Sequence, residues 1–197
     1  MKYLIAILFL LISLHSYSQC IKIDIILVAD KSGSMYGHGT ELKKAVTKFT
    51  DRFDLSENGI KIGIISFASD VQILTSLTSD QSKINNAIHA IAPITTLGST
   101  NLTDALSITE SMFIRYGRSD AARIVVIVSD GAPNNPDLAY DVAQRLQILD
   151  RASICGVFID TNDSEKEYFQ SLCTGDCFAE ATYNDIAEKL YNLNICF

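Results

Sequence analysis

Two stretches of this chain, IKIDIILVA at 21–29 and RIVVIVSD at 123–130, are nearly continuous runs of Ile, Val and Leu. A strand with one face in water alternates apolar with polar residues. A strand without that alternation is covered on both faces. IKIGIISF at 60–67 and SICGVFI at 153–159 have the same character. Between them lie segments of helical periodicity. In TELKKAVTKFTDRF (40–53), Leu42, Ala45, Val46, Phe49 and Phe53 fall on one side of a helix. The same reading predicts helices over 79–92, 101–116, 137–150, 164–172 and 184–193, and strands over 71–77 and 177–182.

Strands alternating with helices imply an α/β fold: a doubly wound, mostly parallel central sheet with helices on both faces, Rossmann-like. VQILTSL (71–77) follows its predecessor after a short turn at Asp70, too short for a parallel crossover. It is expected as one antiparallel edge strand. No linker, repeat or low-complexity tract divides the chain, so 19–197 reads as a single domain.

The first 18 residues read differently. Lys2 is their only charge, YLIAILFLLISL (3–14) is apolar, and Ser16-Tyr17-Ser18 supplies small residues. That is the layout of a secretory signal peptide, with cleavage expected after Ser18. The apolar core falls short of the roughly 20 residues of a membrane span. An uncleaved anchor and a lipid-modified Cys20 are the alternatives. No later run is apolar and long enough to span, so no transmembrane segment is expected once the signal is removed. The expected location is secreted, periplasmic or at the cell surface, and the short signal points to a bacterium. A net charge of −7 argues against nucleic acid, whose phosphates need a basic face.

Export permits disulfides among the five cysteines. Cys20–Cys196 would join the two ends of the mature chain, and Cys173–Cys177 would close the CTGDC loop. Cys155, inside an apolar strand, reads as a buried free thiol. Other pairings stay open. A zinc site at Cys173 and Cys177 is the rival, with no histidine nearby in sequence to complete it.

In open parallel sheets, ligands gather outside the carboxyl ends of the strands. Asp30 ends the first strand, in VADKSGSMYG, and Asp130 ends the central one. A third loop, TLGSTNLTDAL (96–106), opens a helix with many hydroxyls. If the first and fourth strands are neighbours, all three meet. Singly, such residues are often turn and cap residues. Together, two carboxylates and several hydroxyls offer hard oxygen ligands, which suit Mg²⁺, Mn²⁺ or Ca²⁺. Mutual repulsion of the carboxylates would raise one pKa. Gly33 is expected to let the first loop bend so that Ser32 and Ser34 face one point.

These motifs carry a resemblance. Asp30-Lys31-Ser32-Gly33-Ser34 resembles the D-x-S-x-S element of von Willebrand factor type A domains, shared by integrin I domains. Gly98-Ser99-Thr100 matches the family's G-x-T segment, and Asp130-Gly131 its aspartate after the central strand. The resemblance runs from about 22 to 194. It implies a metal-ion-dependent adhesion site. Ser32 and Ser34 would be direct ligands, and Thr100 direct or through water. Asp30 and Asp130 would act mainly through waters and hydrogen bonds. The cofactor would be Mg²⁺ (or Mn²⁺ or Ca²⁺), and an Asp or Glu carboxylate of a protein partner would complete the shell. Lys31 departs from the pattern by placing a cation beside the site. Tyr36, His38, Ser99, Asn134 and Asn135 would form the partner-binding rim.

The expected function is metal-dependent protein binding, in adhesion or extracellular assembly, and not catalysis. One alternative is a structural subunit of a surface or secretion assembly that binds through another face. A metal-dependent hydrolase is the other. Ser32 stands where an aspartyl phosphotransferase needs a second aspartate, and no G-x-S-x-G elbow is present.

Overall fold

The computed structural model describes residues 22–91, 98–160 and 162–195. The expected signal peptide and the expected Cys20–Cys196 bridge lie outside the described residues. Six strands form one sheet: β1 (Ile23–Asp30), β2 (Ile60–Phe67), β3 (Val71–Thr78), β4 (Ala122–Ser129), β5 (Ala152–Ile159) and β6 (Phe178–Ala181). Their order is β3-β2-β1-β4-β5-β6. β3 pairs antiparallel with β2 at one edge, and the remaining neighbours are parallel. The helices are α1 (Gly39–Thr50), α2 (Gln81–Ile91), α3 (Leu102–Tyr116), α4 (Pro136–Ile148), α5 (Asp163–Leu172) and α6 (Ile186–Asn192). The doubly wound α/β expectation therefore holds, antiparallel edge included.

All eight residues of β1 are buried, as the unbroken apolar run predicts. Ile25 and Leu27 pack with α1, α2 and α6 on one face of the sheet. Ile26 and Val28 pack with α3, α4 and α5 on the other. Three helix starts are set by asparagine caps. Asn101 accepts from the Asp104 amide and Asn135 from that of Leu138, with Pro136 opening α4. Asn162 and Glu165 form a reciprocal capping box at α5. α1 ends at Thr50, three residues sooner than its periodicity predicts. There the chain turns, placing the Arg52 guanidinium against Phe49 and Phe53, 4.9 and 4.6 Å from their ring centres. Arg52 also donates to the carbonyls of Tyr191 and Leu193, so tertiary contacts override the helical pattern.

The cysteine reading is corrected by the structure. Cys177 pairs with Cys155, their Cα atoms 4.7 Å apart, and Cys173 is a buried free thiol. Closeness in sequence misled, because the CTGDC loop turns through Gly175 at φ +57° and carries its two cysteines to opposite faces of the sheet. The Gly156 amide donates to the Cys177 carbonyl at 3.0 Å, which sets Cys177 beside β5. Burial pushes the Cys173 thiol up to about 12. Among the described residues no helix is long and apolar enough to cross a membrane.

Candidate metal centre

β1 and β4 are parallel neighbours, with Ala29 opposite Val128, so Asp30 and Asp130 emerge side by side at the carboxyl edge. Three tethers close the loops there into a ring. The Gly33 amide donates to the Gly98 carbonyl at 2.8 Å. Asn134 holds Thr100 twice: its Oδ1 accepts from the Thr100 amide at 3.1 Å, and its own amide donates to the Thr100 carbonyl at 3.0 Å. Ser34 Oγ donates to Asp130 Oδ1 at 2.7 Å.

Two glycines are needed locally. A Cβ at Gly98 would lie 2.8 Å from the Cβ of Ala68. Gly37, at φ +87°, turns the chain into α1. Gly33 is not in the left-handed region. It opens a 3-10 turn over Gly33–Met35, so Ser32 and Ser34 are brought together by that turn and not by a left-handed glycine.

Asp30 is fully buried and both its oxygens are engaged. Oδ1 accepts from the Ser32 amide at 2.7 Å and Oδ2 from Ser129 Oγ at 2.5 Å. Its pKa is raised to about 6, chiefly by burial, against which those hydrogen bonds pull down. Repulsion from Asp130 is the smallest cause, so the mutual repulsion expected from the sequence is a minor effect. Asp30 thus shapes the loop and lends it charge from behind.

Ser32 Oγ and Ser34 Oγ lie 3.1 Å apart. Together with Asp130 Oδ1 they form a chain of oxygens at 3.1 and 2.7 Å. Oxygens bound at about 2.1 Å in an octahedron around Mg²⁺ sit about 3.0 Å from one another. The set therefore fits a small hard cation. Among the described residues, no group of three or more His, Cys, Asp and Glu side chains could hold one.

Tyr183, from the turn between β6 and α6, was not anticipated. Its hydroxyl donates to Asp130 Oδ2 and lies 3.4 Å from the Ser34 carbonyl. Its ring stacks on His38, centroids 3.5 Å apart. Burial, reinforced by the Asp130 bond, holds the phenol far above its ordinary pKa, so it stays a donor. No sequence signal marks it, since 53 residues separate it from Asp130. Ser129 was also missed, although it stands next to Asp130 in the quoted run.

The remaining rim residues divide. Tyr36 is 62 % exposed. Ser99 turns to Ser69, Oγ to Oγ 3.2 Å. Asn134 is occupied with Thr100, and Asn135 caps α4. Lys31 reaches toward the Ala90 carbonyl at 3.4 Å, and partial burial lowers its pKa.

The profile of the von Willebrand factor type A domain matches residues 24–192. Human Matrilin-1 is 26% identical over 167 residues, which cover 75% of this chain and 33% of that protein. The chain thus spans about a third of that curated relative. The vWF domain of the type V pili tip protein Mfa5 from Porphyromonas gingivalis superposes with a TM-score of 0.73 at 14% identity. That match covers 88% of this chain and 94% of that one. Proximal thread matrix protein 1 from the mussel byssus, with a zinc-occupied MIDAS motif, gives 0.74 at 18% identity, covering 88% and 45%.

Proposed function

This chain belongs to the von Willebrand factor type A domain family, and from that premise we propose that it binds a divalent cation and, through it, a carboxylate of a protein partner. Ser32, Ser34 and Thr100 are the direct or water-bridged ligands. Asp130 orients Ser34, and Asp30 supplies buried negative charge behind the loop. The observation that carries this reading is the run of oxygens Ser32–Ser34–Asp130 at 3.1 and 2.7 Å, with Asp30 already satisfied by protein donors. Hydroxyl and carboxylate oxygens suit a hard cation, Mg²⁺, Mn²⁺ or Ca²⁺. With few anions bound directly, the cation stays electrophilic and attracts an external Asp or Glu. The likeness to a byssus protein with an occupied metal motif and to a pilus tip protein supports a role in adhesion or extracellular assembly.

Export follows from the same reading: residues 1–18 are removed as a signal peptide, leaving 19–197 as one domain. The Cys155–Cys177 bridge supports an oxidising destination. The protein acts as a binding module, not a catalyst.

Calorimetric titration of the chelator-stripped protein with Mn²⁺ and Mg²⁺ tests the proposal, beside Asp30→Asn. Asparagine is the informative change. It can still accept from the Ser32 amide and can meet Ser129, whereas alanine would orphan two buried donors. Saturable binding at one site, lost in a variant that melts normally, is expected. Equal binding in the variant would refute the site.

A further inference from the structure

α1 has two faces. Leu42, Ala45, Val46 and Phe49 are buried in the core. The other side carries Lys43, Lys44 and Lys48, followed by Arg52. Thr40, Thr47 and Asp51 join them, and Tyr191 of α6 forms the far wall of an open groove of about 660 Å³. Asp51 is the one carboxylate among these lining residues. Every ion pair among the described residues uses some other cation. Lys43 Nζ meets His89 Nδ1 at 2.8 Å, and Lys48 Nζ sits 4.9 Å from the Tyr191 ring centre. Arg52 is spent on backbone carbonyls. The lysines of the groove therefore outnumber its single lining carboxylate, Asp51, in a chain whose acids outnumber its bases 23 to 16.

We propose that this groove is a second binding surface, independent of the metal centre, that takes an extended acidic segment of a partner polypeptide. Lys44 and Lys48 are four residues apart on α1, so they stand about 6 Å apart along the helix. Alternate side chains of an extended peptide recur at about 6.6 Å. Two carboxylates at alternate positions thus meet Lys44 and Lys48. The walls are lysine stems, threonine methyls and the Tyr191 ring. They suit a polypeptide's apolar carbons better than a hydroxyl-covered sugar chain.

The probe is a fluorescein-labelled peptide of six Glu-Ala repeats, followed by anisotropy on the full chain with EDTA present. Saturable binding is expected. Lys44→Glu with Lys48→Glu should weaken it at least about tenfold, and Tyr191→Ala should weaken it as well. Raising salt from about 50 to about 300 mM should loosen it. Lys44 and Lys48 are exposed, so the charge variants should melt like the parent. Failure to saturate, undiminished binding in the double variant, or tighter binding of a sulfated dextran of equal charge would each overturn the proposal. EDTA removes the metal site from the readout, so this test and the metal titration fail independently.

Discussion

Tyr183 donates its hydroxyl to Oδ2 of Asp130, while Oδ1 of the same carboxylate accepts from Ser34. Both oxygens are thereby oriented by protein donors, one from the first strand's loop and one from the turn before α6. Tyr183→Phe keeps the ring and its stack on His38 and deletes one donor. A lost outer hydrogen bond of this kind weakens metal binding about tenfold. Mn²⁺ titration should show that loss with little change in melting temperature. An unaltered dissociation constant would remove Tyr183 from the site.

Asn134 offers a sharper separation of roles. The sequence places it on the partner-binding rim, whereas in the structure it clasps Thr100 through both its side chain and its own amide. Asn134→Ala should therefore reduce metal affinity several-fold with no partner present. Asn134→Asp keeps an acceptor for the Thr100 amide and should restore most of it. If the alanine variant binds metal normally and fails only with a partner, the rim reading is the right one.

The strands were legible because burial on both faces leaves a one-dimensional trace, as in Ile23–Ala29 and Ile124–Val128. Two of the three loops were legible because Asp30 and Asp130 each adjoin the end of such a strand, whereas Gly98-Ser99-Thr100 lies between α2 and α3 and was marked only by its hydroxyls and its motif. What escaped depends on which side of the sheet a residue faces after a turn. Cys173 and Cys177 are four residues apart and face opposite layers. Tyr183 reaches Asp130 only because β6 lies beside β5, a pairing no local pattern announces. A raised pKa for one of the two carboxylates was foreseen; it falls on Asp30, and its chief cause is burial, a property of the packed layers and not of the nearby aspartate.

The Cys155–Cys177 bridge closes a loop with a sequence separation of 22. By chain entropy this stabilises the domain by about 3 kcal/mol. Cys155→Ala with Cys177→Ser should lower Tm by roughly 6–12 °C. Mass spectrometry of unreduced peptides should find Cys155 joined to Cys177. Cys173 should resist alkylation until the chain unfolds, since it is buried and its thiol is pushed up to about 12. A Cys173–Cys177 peptide would contradict the bridge.

At the opposite end of β1, Asp24 is fully buried, and Arg118 answers it with its backbone amide at 2.7 Å and Nε at 2.8 Å. The same guanidinium donates to the carbonyls of Glu57, Ile23 and Gly59 at 2.8, 2.9 and 2.8 Å. It thus pins the start of β1 to the turn before β2. Arg118→Ala would strand a buried carboxylate and three carbonyls, at a cost of about 3–5 kcal/mol. Arg118→Lys should recover little, because a single ammonium cannot reproduce the planar fork. Six residues of extended strand, about 20 Å, separate Asp24 from Asp30. Metal affinity measured on the folded fraction should therefore be unchanged. Urea unfolding monitored beside Mn²⁺ titration separates the two quantities. A loss of stability below about 1 kcal/mol would mean that water replaces the guanidinium and that this end of the sheet is not locked by it.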